Sequence, residues 1–395
     1  MGILGFFKYF NFFIENFVTV FTLLGVKPNI STFNIILPVG ISFYTFQTMS
    51  YSIDVYKGKL EPVKDFISFM AFVSFFPQLM AGPIERASNL LPQLQKRRTF
   101  GYDKAVDGTR QILWGLFKKV VIADNCAVYV NYVFDNYQRQ SGITLWVAVA
   151  FFAVQVYGDF SGYSDIAIGS ARLFGINLMR NFNYPLFSRD IAEYWRRWHI
   201  SQSTWFRDYV YFPLGGSRVS KAKVVRNTYI LFLVSGFWHG ANWTFVIWGL
   251  FNATLFLPLL LLNKNREHKE IVASDRMLPN IKELFQIGLT FFWVTLTRVL
   301  FRAENMTQAC GYFRGMANKS LFLINSLHDK RTALAIIFLI AIMLIVEWIG
   351  RRDQFGIEKL GNKWNPVFRW AMYYSILLVI FIFAGKSQEF VYFQF

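Results

Sequence analysis

The sequence is poor in the residues from which soluble catalytic sites are usually built. Across 395 residues there are two cysteines, Cys126 and Cys310, and four histidines. Two cysteines this far apart, without ligand spacing, exclude a disulfide framework and a clustered metal site. Charge is scarce too: 16% of residues are Asp, Glu, Lys or Arg, against about 25% in a typical soluble domain. Acidic residues are the scarcer sign, 24 against 41 basic, for a formal net charge of +17. The first residues do not read as a cleavable leader. Met1 runs almost directly into Gly5-Phe-Phe-Lys-Tyr-Phe-Asn-Phe-Phe13, with no basic region followed by a small-residue cleavage site.

What fills the chain instead is apolar: 54% of residues are hydrophobic and 19% aromatic. Residues 229–262 contain no Lys, Arg, Asp or Glu, and residues 145–156, 333–346 and 371–384 are equally uncharged. A run of about 20 such residues crosses a bilayer as a helix. An all-α, polytopic integral membrane bundle is therefore expected, with the lipid bilayer as its main partner. The basic residues gather between the runs, at Lys96-Arg97-Arg98, Lys118-Lys119, 218–226, 264–269 and Arg351-Arg352. This is the distribution of cytoplasmic loops under the positive-inside rule, so the excess speaks for topology and anionic headgroups rather than nucleic acid.

The pattern predicts about eleven helical segments. They run roughly over 5–25, 34–56, 65–82, 104–133, 144–175, 189–206, 226–239, 243–262, 281–302, 332–350 and 367–385. Connections are short and there is no internal repeat, which favours one membrane domain over residues 1–395. Residues 263–275 read as a charged, solvated loop. Two segments are too polar for plain spans. Over 189–208, Trp195, Trp198, His199, Gln202 and Trp205 share one helical face, as in an interfacial or re-entrant amphipathic helix. Over 155–165, Asp159 and Asp165 interrupt an apolar stretch beside Gly158 and Gly162.

Of the histidines, His268 lies in the charged loop and His328 precedes Asp329-Lys330-Arg331; both read as surface residues. His239 is different. It lies about 11 residues into its apolar run, or about 16 Å along a helix, near the middle of a bilayer. A titratable group at that depth is costly unless it faces a cavity or partner, so function is its default reading. Gly236 and Gly240 permit close approach of another group, Asn242 adds an amide, and Trp238 and Trp243 add flat walls. A low-dielectric site keeps imidazole neutral, suiting it to take a proton from a hydroxyl attacking an activated acyl carbonyl. The alternative is a histidine that merely hydrogen-bonds across the bundle. No Gly-x-Ser-x-Gly elbow supports a serine triad. His199 stands beside Arg196 and Arg197, ahead of Arg207-Asp208. It is either an interfacial residue or a group that orients a reactant while the arginines grip an anionic donor.

Four stretches carry a resemblance. They are Leu37-Pro-Val-Gly-Ile-Ser-Phe-Tyr-Thr-Phe46, Phe75-Phe-Pro-Gln-Leu-Met-Ala-Gly-Pro-Ile84, Tyr194-Trp-Arg-Arg-Trp-His-Ile-Ser201 continuing through Trp205 to Arg218, and Phe237-Trp-His-Gly-Ala-Asn-Trp243. In this order the chain resembles the membrane-bound O-acyltransferase family, in particular the membrane subunits that acetylate alginate and peptidoglycan. The ending Phe390-Val-Tyr-Phe-Gln-Phe395 looks like that branch as well.

The resemblance covers essentially the whole chain. It implies a helical membrane fold around a through-membrane tunnel, with the buried catalytic histidine at His239 and the second family histidine at His199. It further implies acetyl-coenzyme A as a donor substrate, with no bound cofactor, in a multi-pass protein of the bacterial inner membrane. The acceptor would be an extracytoplasmic polysaccharide or a partner acetyltransferase. Trp238, Asn242, Arg196 and Arg197 are the expected substrate-binding residues. Family members usually begin with a few more helices, so the first family helices are expected to be missing upstream of Gly5. Two rivals stand. One is D-alanyl or other acyl transfer to an envelope polymer; the other is a transporter or flippase using Asp159 and Asp165 as coupling carboxylates. Those aspartates could equally pin helices at breaks near Gly158 and Gly162.

Overall fold

The computed structural model describes residues 2–391 apart from 27, 29, 31, 34, 36, 37, 39, 80, 81, 324, 325, 386 and 387. Leu37 and Val39 of the first motif, Met80-Ala81 of the second and residues 392–395 of the ending thus lie outside the described residues, as does part of the helix start expected at 34–40. Every regular element among the described residues is a helix or helical turn.

The centre is built on two long antiparallel rods. Tyr102–Leu116, the π-helical turn Phe117–Ala123 and Asp124–Asp135 follow one another without leaving helical dihedrals. Gly142–Leu173 packs along them, buried on nearly every side. The reason the backbones come so close is a glycine seam. Gly108 faces Gly169 and Gly115 faces Gly162, each pair seven residues from the next. A Cβ placed on Gly115 would sit 2.6 Å from the carbonyl oxygen of Gly162. Small residues at a helix crossing are the usual device for close packing in a bilayer. Gly158 and Gly162 therefore do not break the helix, as the sequence pattern suggested; they let it press against its neighbour.

The two aspartates of that stretch are paired. Lys118 Nζ lies 2.7 Å from Asp165 and 3.9 Å from Glu347, and donates to Ser161 Oγ at 2.8 Å. Lys119 Nζ lies 2.7 Å from Asp159 and 2.8 Å from Asp124. Asp159 also accepts from Val391 N at 2.7 Å, which ties the C-terminal segment to the core. The helix-pinning role is the one the geometry fits: opposite charges are matched in pairs across the rods.

Around this core stand the helices that meet lipid. Among the described residues five helices are long and apolar enough to cross a membrane: the central Gly142–Leu173 and, around it, Trp243–Leu261, Ile281–Arg302, Lys330–Ile349 and Pro366–Phe383. In Pro366–Phe383 no residue is buried, and Val367, Phe368 and Phe381 are 72%, 68% and 82% exposed. An apolar helix whose outer face is left this exposed is stable in hydrocarbon and not in water. The chain is an all-helical integral membrane protein. Helix Lys221–His239 does not read as an uninterrupted span because Lys221, Lys223 and Arg226 occupy its first turns.

Three expectations need correction. The amphipathic segment over 189–206 is two short helices, Ile191–Arg197 and Ile200–Phe206, broken at His199 with φ 43°. Its tryptophan face is also inside the protein: Trp198 and Trp205 are buried, so the pattern marked core rather than a membrane surface. The 263–275 loop is latched instead of free, because Arg196, Arg197 and Arg351 donate to its carbonyls and bury Val272 and Ala273. Finally, Ala87–Gln95 and Met306–Met316 are helices too short for hydropathy to show.

Candidate functional site

Helices Lys221–His239 and Trp243–Leu261 form a hairpin, and His239 is the last helical residue of its first arm. Gly240 takes extended backbone and Asn242 restarts the helix, its Oδ1 accepting from Thr244 N at 3.0 Å. Gly236 and Gly249 let the arms touch: a Cβ on either would strike the carbonyl oxygen of Phe245 or Phe232 on the other arm. The histidine is thus held at the tip of a tight, apolar hairpin.

Its ring is enclosed by aromatic side chains. Trp238, Trp248 and Phe301 stand edge-on to the imidazole at centroid distances of 4.9, 5.2 and 5.1 Å. Trp238 also links the two histidines, with His199 6.2 Å away across its ring. A stack extends from there: Phe46 lies 5.2 Å from Trp238, and Trp205 lies 4.0 Å from Phe46 while donating Nε1 to its carbonyl at 3.0 Å. Residues from three of the sequence motifs meet in that one stack.

The remaining motif joins through Ser201, whose Oγ accepts from Ile84 N at 3.0 Å. Ser201 Oγ in turn donates to Asn181 Oδ1 at 2.9 Å, and the Asn181 carbonyl accepts from Ile200 N at 2.9 Å. Asn181 therefore anchors the left-handed turn at His199, a conformation that costs a non-glycine residue about 1 kcal/mol or more. Phe160 backs the His199 ring at 4.6 Å, and His199 is fully buried.

The expected site residues separate into two groups. His239, His199 and Trp238 come together. Asn242 instead locks the hairpin tip, donating Nδ2 to Glu304 O at 2.7 Å. Arg196 donates to the carbonyls of Asn265 and His268, both at 2.6 Å, and Arg197 to that of Glu270 at 2.8 Å and to Glu193. Burial lowers the pKa of both guanidiniums, while the nearby carboxylates of Asp190 and Glu193 favour Arg196 and that of Glu193 favours Arg197 in the charged form. His268 is half-buried in that loop, and His328 stacks on Tyr132 at 4.3 Å.

One residue escaped the sequence reading. Arg298 is buried between Trp198 and Phe301, its guanidinium 4.7 and 5.4 Å from their rings, and it donates to Tyr194 OH at 2.9 Å. The signal was present, since Arg298 ends the uncharged stretch 284–297 and an arginine in an apolar helix is costly without a role.

Two cavities lie outside this centre, and neither is lined by His199, His239 or Trp238. One, of about 580 Å³, lies at the hairpin tip, lined by Gly240, Asn242, Asn131, Asp135, Arg302 and Glu304. The other, also about 580 Å³, is lined by Lys57, Lys59, Arg86, Asp54, Asp208 and Tyr209. It adjoins the segment that leads from His199 through Phe206. Among the described residues no cluster of three or more His, Cys, Asp or Glu side chains could hold a metal ion. What the arrangement offers is an imidazole in a dry aromatic box, a second imidazole across one indole, and a cation nearby.

Known proteins of similar sequence fit this chemistry. The profile of the membrane-bound O-acyltransferase family matches residues 62–301, a range that includes both histidines. A probable alginate O-acetylase, AlgI, of Pseudomonas aeruginosa is 38% identical over 362 residues, covering 91% of this chain and 67% of the relative. A peptidoglycan O-acetyltransferase of Helicobacter pylori is 33% identical, covering 100% of this chain and 80% of its own length. A teichoic acid D-alanyltransferase of Bacillus subtilis is 29% identical over 70% of this chain and 72% of its own.

Proposed function

Because the chain belongs to the membrane-bound O-acyltransferase family, we propose that it transfers acetyl groups from cytoplasmic acetyl-coenzyme A to an extracytoplasmic polysaccharide. The observation that carries this reading is the pair of buried histidines that both pack against Trp238, with a cavity at the hairpin tip beside Gly240. The donor thioester enters from the end that gathers Arg86, Lys57 and Lys59, which the positive-inside rule makes cytoplasmic. The acceptor hydroxyl approaches from the hairpin tip.

His239 takes the proton of that hydroxyl as its oxygen attacks the acyl carbon, the C–S bond breaks, and the proton leaves on the coenzyme A thiol. His199 orients the thioester, Trp238 separates the two half-sites and keeps them dry, and Asn242 holds the tip. Arg196 and Arg197 serve the site indirectly, by fixing the 265–270 loop against the helix that leads to His199. The acetyl group passes through a tunnel between the cavities, either to the glycan itself or to a partner acetyltransferase. The protein works in this way as one domain in a bacterial inner membrane.

Acetyl is favoured over D-alanyl because relatives named for O-acetylation are more similar to this chain than the one named for D-alanylation. A coupling role for Asp159 and Asp165 has less support, since both carboxylates are already paired with lysines. The test is the ester content of envelope polysaccharide, read by mass spectrometry, in cells carrying His239→Ala. Loss of the acetyl esters at unchanged protein abundance is expected. Retained esters would sink the general-base role.

A further inference from the structure

The end of a helix leaves its last four carbonyls without intrahelical partners. In helix Lys221–His239 those carbonyls include Phe237, Trp238 and His239, at the point where the site is most sensitive to backbone position. The turn that follows cannot supply donors, since Gly240 is extended and the chain departs at once into the next helix. The donors come from the other end of the sequence. Lys8 Nζ donates to Trp238 O at 2.7 Å and to His239 O at 3.0 Å. Tyr9 OH donates to Phe237 O at 3.2 Å. Two adjacent residues thus cap three consecutive carbonyls more than 220 positions away.

The attachment is specific on both arms of the hairpin. Tyr9 stacks on Phe237 at 4.3 Å, and the Lys8 ammonium lies 5.8 Å from the centre of the Trp238 ring. Eight residues beyond Lys8, Asn16 Oδ1 accepts from Trp243 Nε1 at 2.8 Å, on the far side of the tip. Lys8 and Tyr9 belong to the π-helical turn Gly5–Tyr9, and such turns interrupt helices most often at functional sites. A cation at a helix C-terminus is also favoured by the macrodipole.

We infer that Lys8 and Tyr9 are positioning residues for His239: the first helix caps the catalytic hairpin in trans and sets where the imidazole sits. This rests on the general-base reading of His239. The role is to hold geometry, so the loss falls on the rate at saturating donor rather than on donor affinity. Misplacement of a reacting group by about 1 Å can cost about a hundredfold; a cap with two of three donors removed is expected to cost at least tenfold.

The experiment uses membrane vesicles containing the full chain, supplied with labelled acetyl-coenzyme A, and follows label entering the vesicle polysaccharide. Lys8→Ala is expected to lower kcat at least tenfold with donor KM within twofold of wild type. Lys8→Arg, which keeps a cationic donor, is expected to restore most of it. Tyr9→Phe keeps the stack on Phe237 and removes one hydroxyl, so a loss of about threefold is expected; it serves also if Lys8→Ala does not fold. Rates are expressed per unit of monodisperse protein recovered in detergent. With His239→Ala inactive, a wild-type kcat in both Lys8→Ala and Tyr9→Phe would overturn the inference alone. So would a loss confined to donor KM, or one that Lys8→Arg does not relieve. An active His239→Ala would remove the catalytic reading and this inference with it.

Discussion

Lys118→Met removes the cation that faces Asp165 at 2.7 Å and Glu347 at 3.9 Å, where the three side chains are 4%, 12% and 1% exposed. Breaking a buried ion pair by deleting one partner costs about 3–5 kcal/mol, because the other charge is left uncompensated. Two neighbours soften the loss. Asp165 keeps the Gln111 amide at 2.7 Å, and Glu347 keeps the Tyr157 hydroxyl at 2.8 Å. The lower end, about 3 kcal/mol, is therefore expected, or a fall of about 6 °C in the unfolding midpoint at roughly 2 °C per kcal/mol for a long chain.

Adding Asp165→Asn removes one orphaned charge while leaving an oxygen for Gln111. The double variant should recover about half of the loss, so the coupling energy is about 1.5 kcal/mol plus the cost of Asp165→Asn alone. The assay is the thermal midpoint in detergent, followed by tryptophan fluorescence, together with acetyl transfer per unit of folded protein. If the two substitutions add, the pair is not a pair. If Lys118→Met leaves the midpoint unchanged and stops transfer, the cluster is a conducting path, and the structural account of these charges is wrong.

The glycine seam gives a second test. Gly162→Ala would place a Cβ 2.7 Å from Gly115 O and 3.1 Å from Lys119 N, both backbone atoms that cannot swing aside. A loss of about 1–3 kcal/mol is expected from this overpacking; Gly288→Ala, with nothing within 4 Å of the new methyl, should be neutral or stabilising by a few tenths to about 1 kcal/mol. Equal midpoints for the two would refute the seam. At the hairpin tip, Arg302→Gln should raise the acceptor KM about tenfold, the scale of one charged hydrogen bond, with donor KM unchanged. A change confined to the donor would place the acceptor elsewhere.

Much of the fold was legible because hydrocarbon writes a plain code. Apolar runs over 243–262, 281–302 and 332–350 became helices within two residues of their expected ends. His239 and His199 were legible because each stands in a motif, and the structure brings both against Trp238. What stayed hidden was decided by partners far away in sequence. The break at His199 depends on Asn181, eighteen positions upstream, and no local pattern announces a left-handed histidine. The amphipathic face of 191–206 was visible, but period alone cannot distinguish a core from a membrane surface when both are apolar.

Buried charge shows the same limit and a way past it. The rule that an intramembrane charge is expensive marks Lys8, Lys118, Lys119, Asp159, Asp165, Arg298 and Glu347 alike. The partners sort them. Lys118 and Lys119 meet carboxylates, so their fields cancel locally and what remains is attachment between helices. Lys8 and Arg298 meet only neutral acceptors, namely backbone carbonyls, a tyrosine hydroxyl and ring faces, and among the described residues neither has an ion-pair partner. Both stand around the aromatic box of His239, through Trp238 on one side and Phe301 on the other. On the proposed general-base mechanism, Arg298 is the cation whose field favours negative charge growing on an acyl oxygen, while Lys8 acts through the backbone it caps. Among the described residues, the buried charges without an opposite partner are thus the ones that stand around the proposed site, and those with one tie helices together.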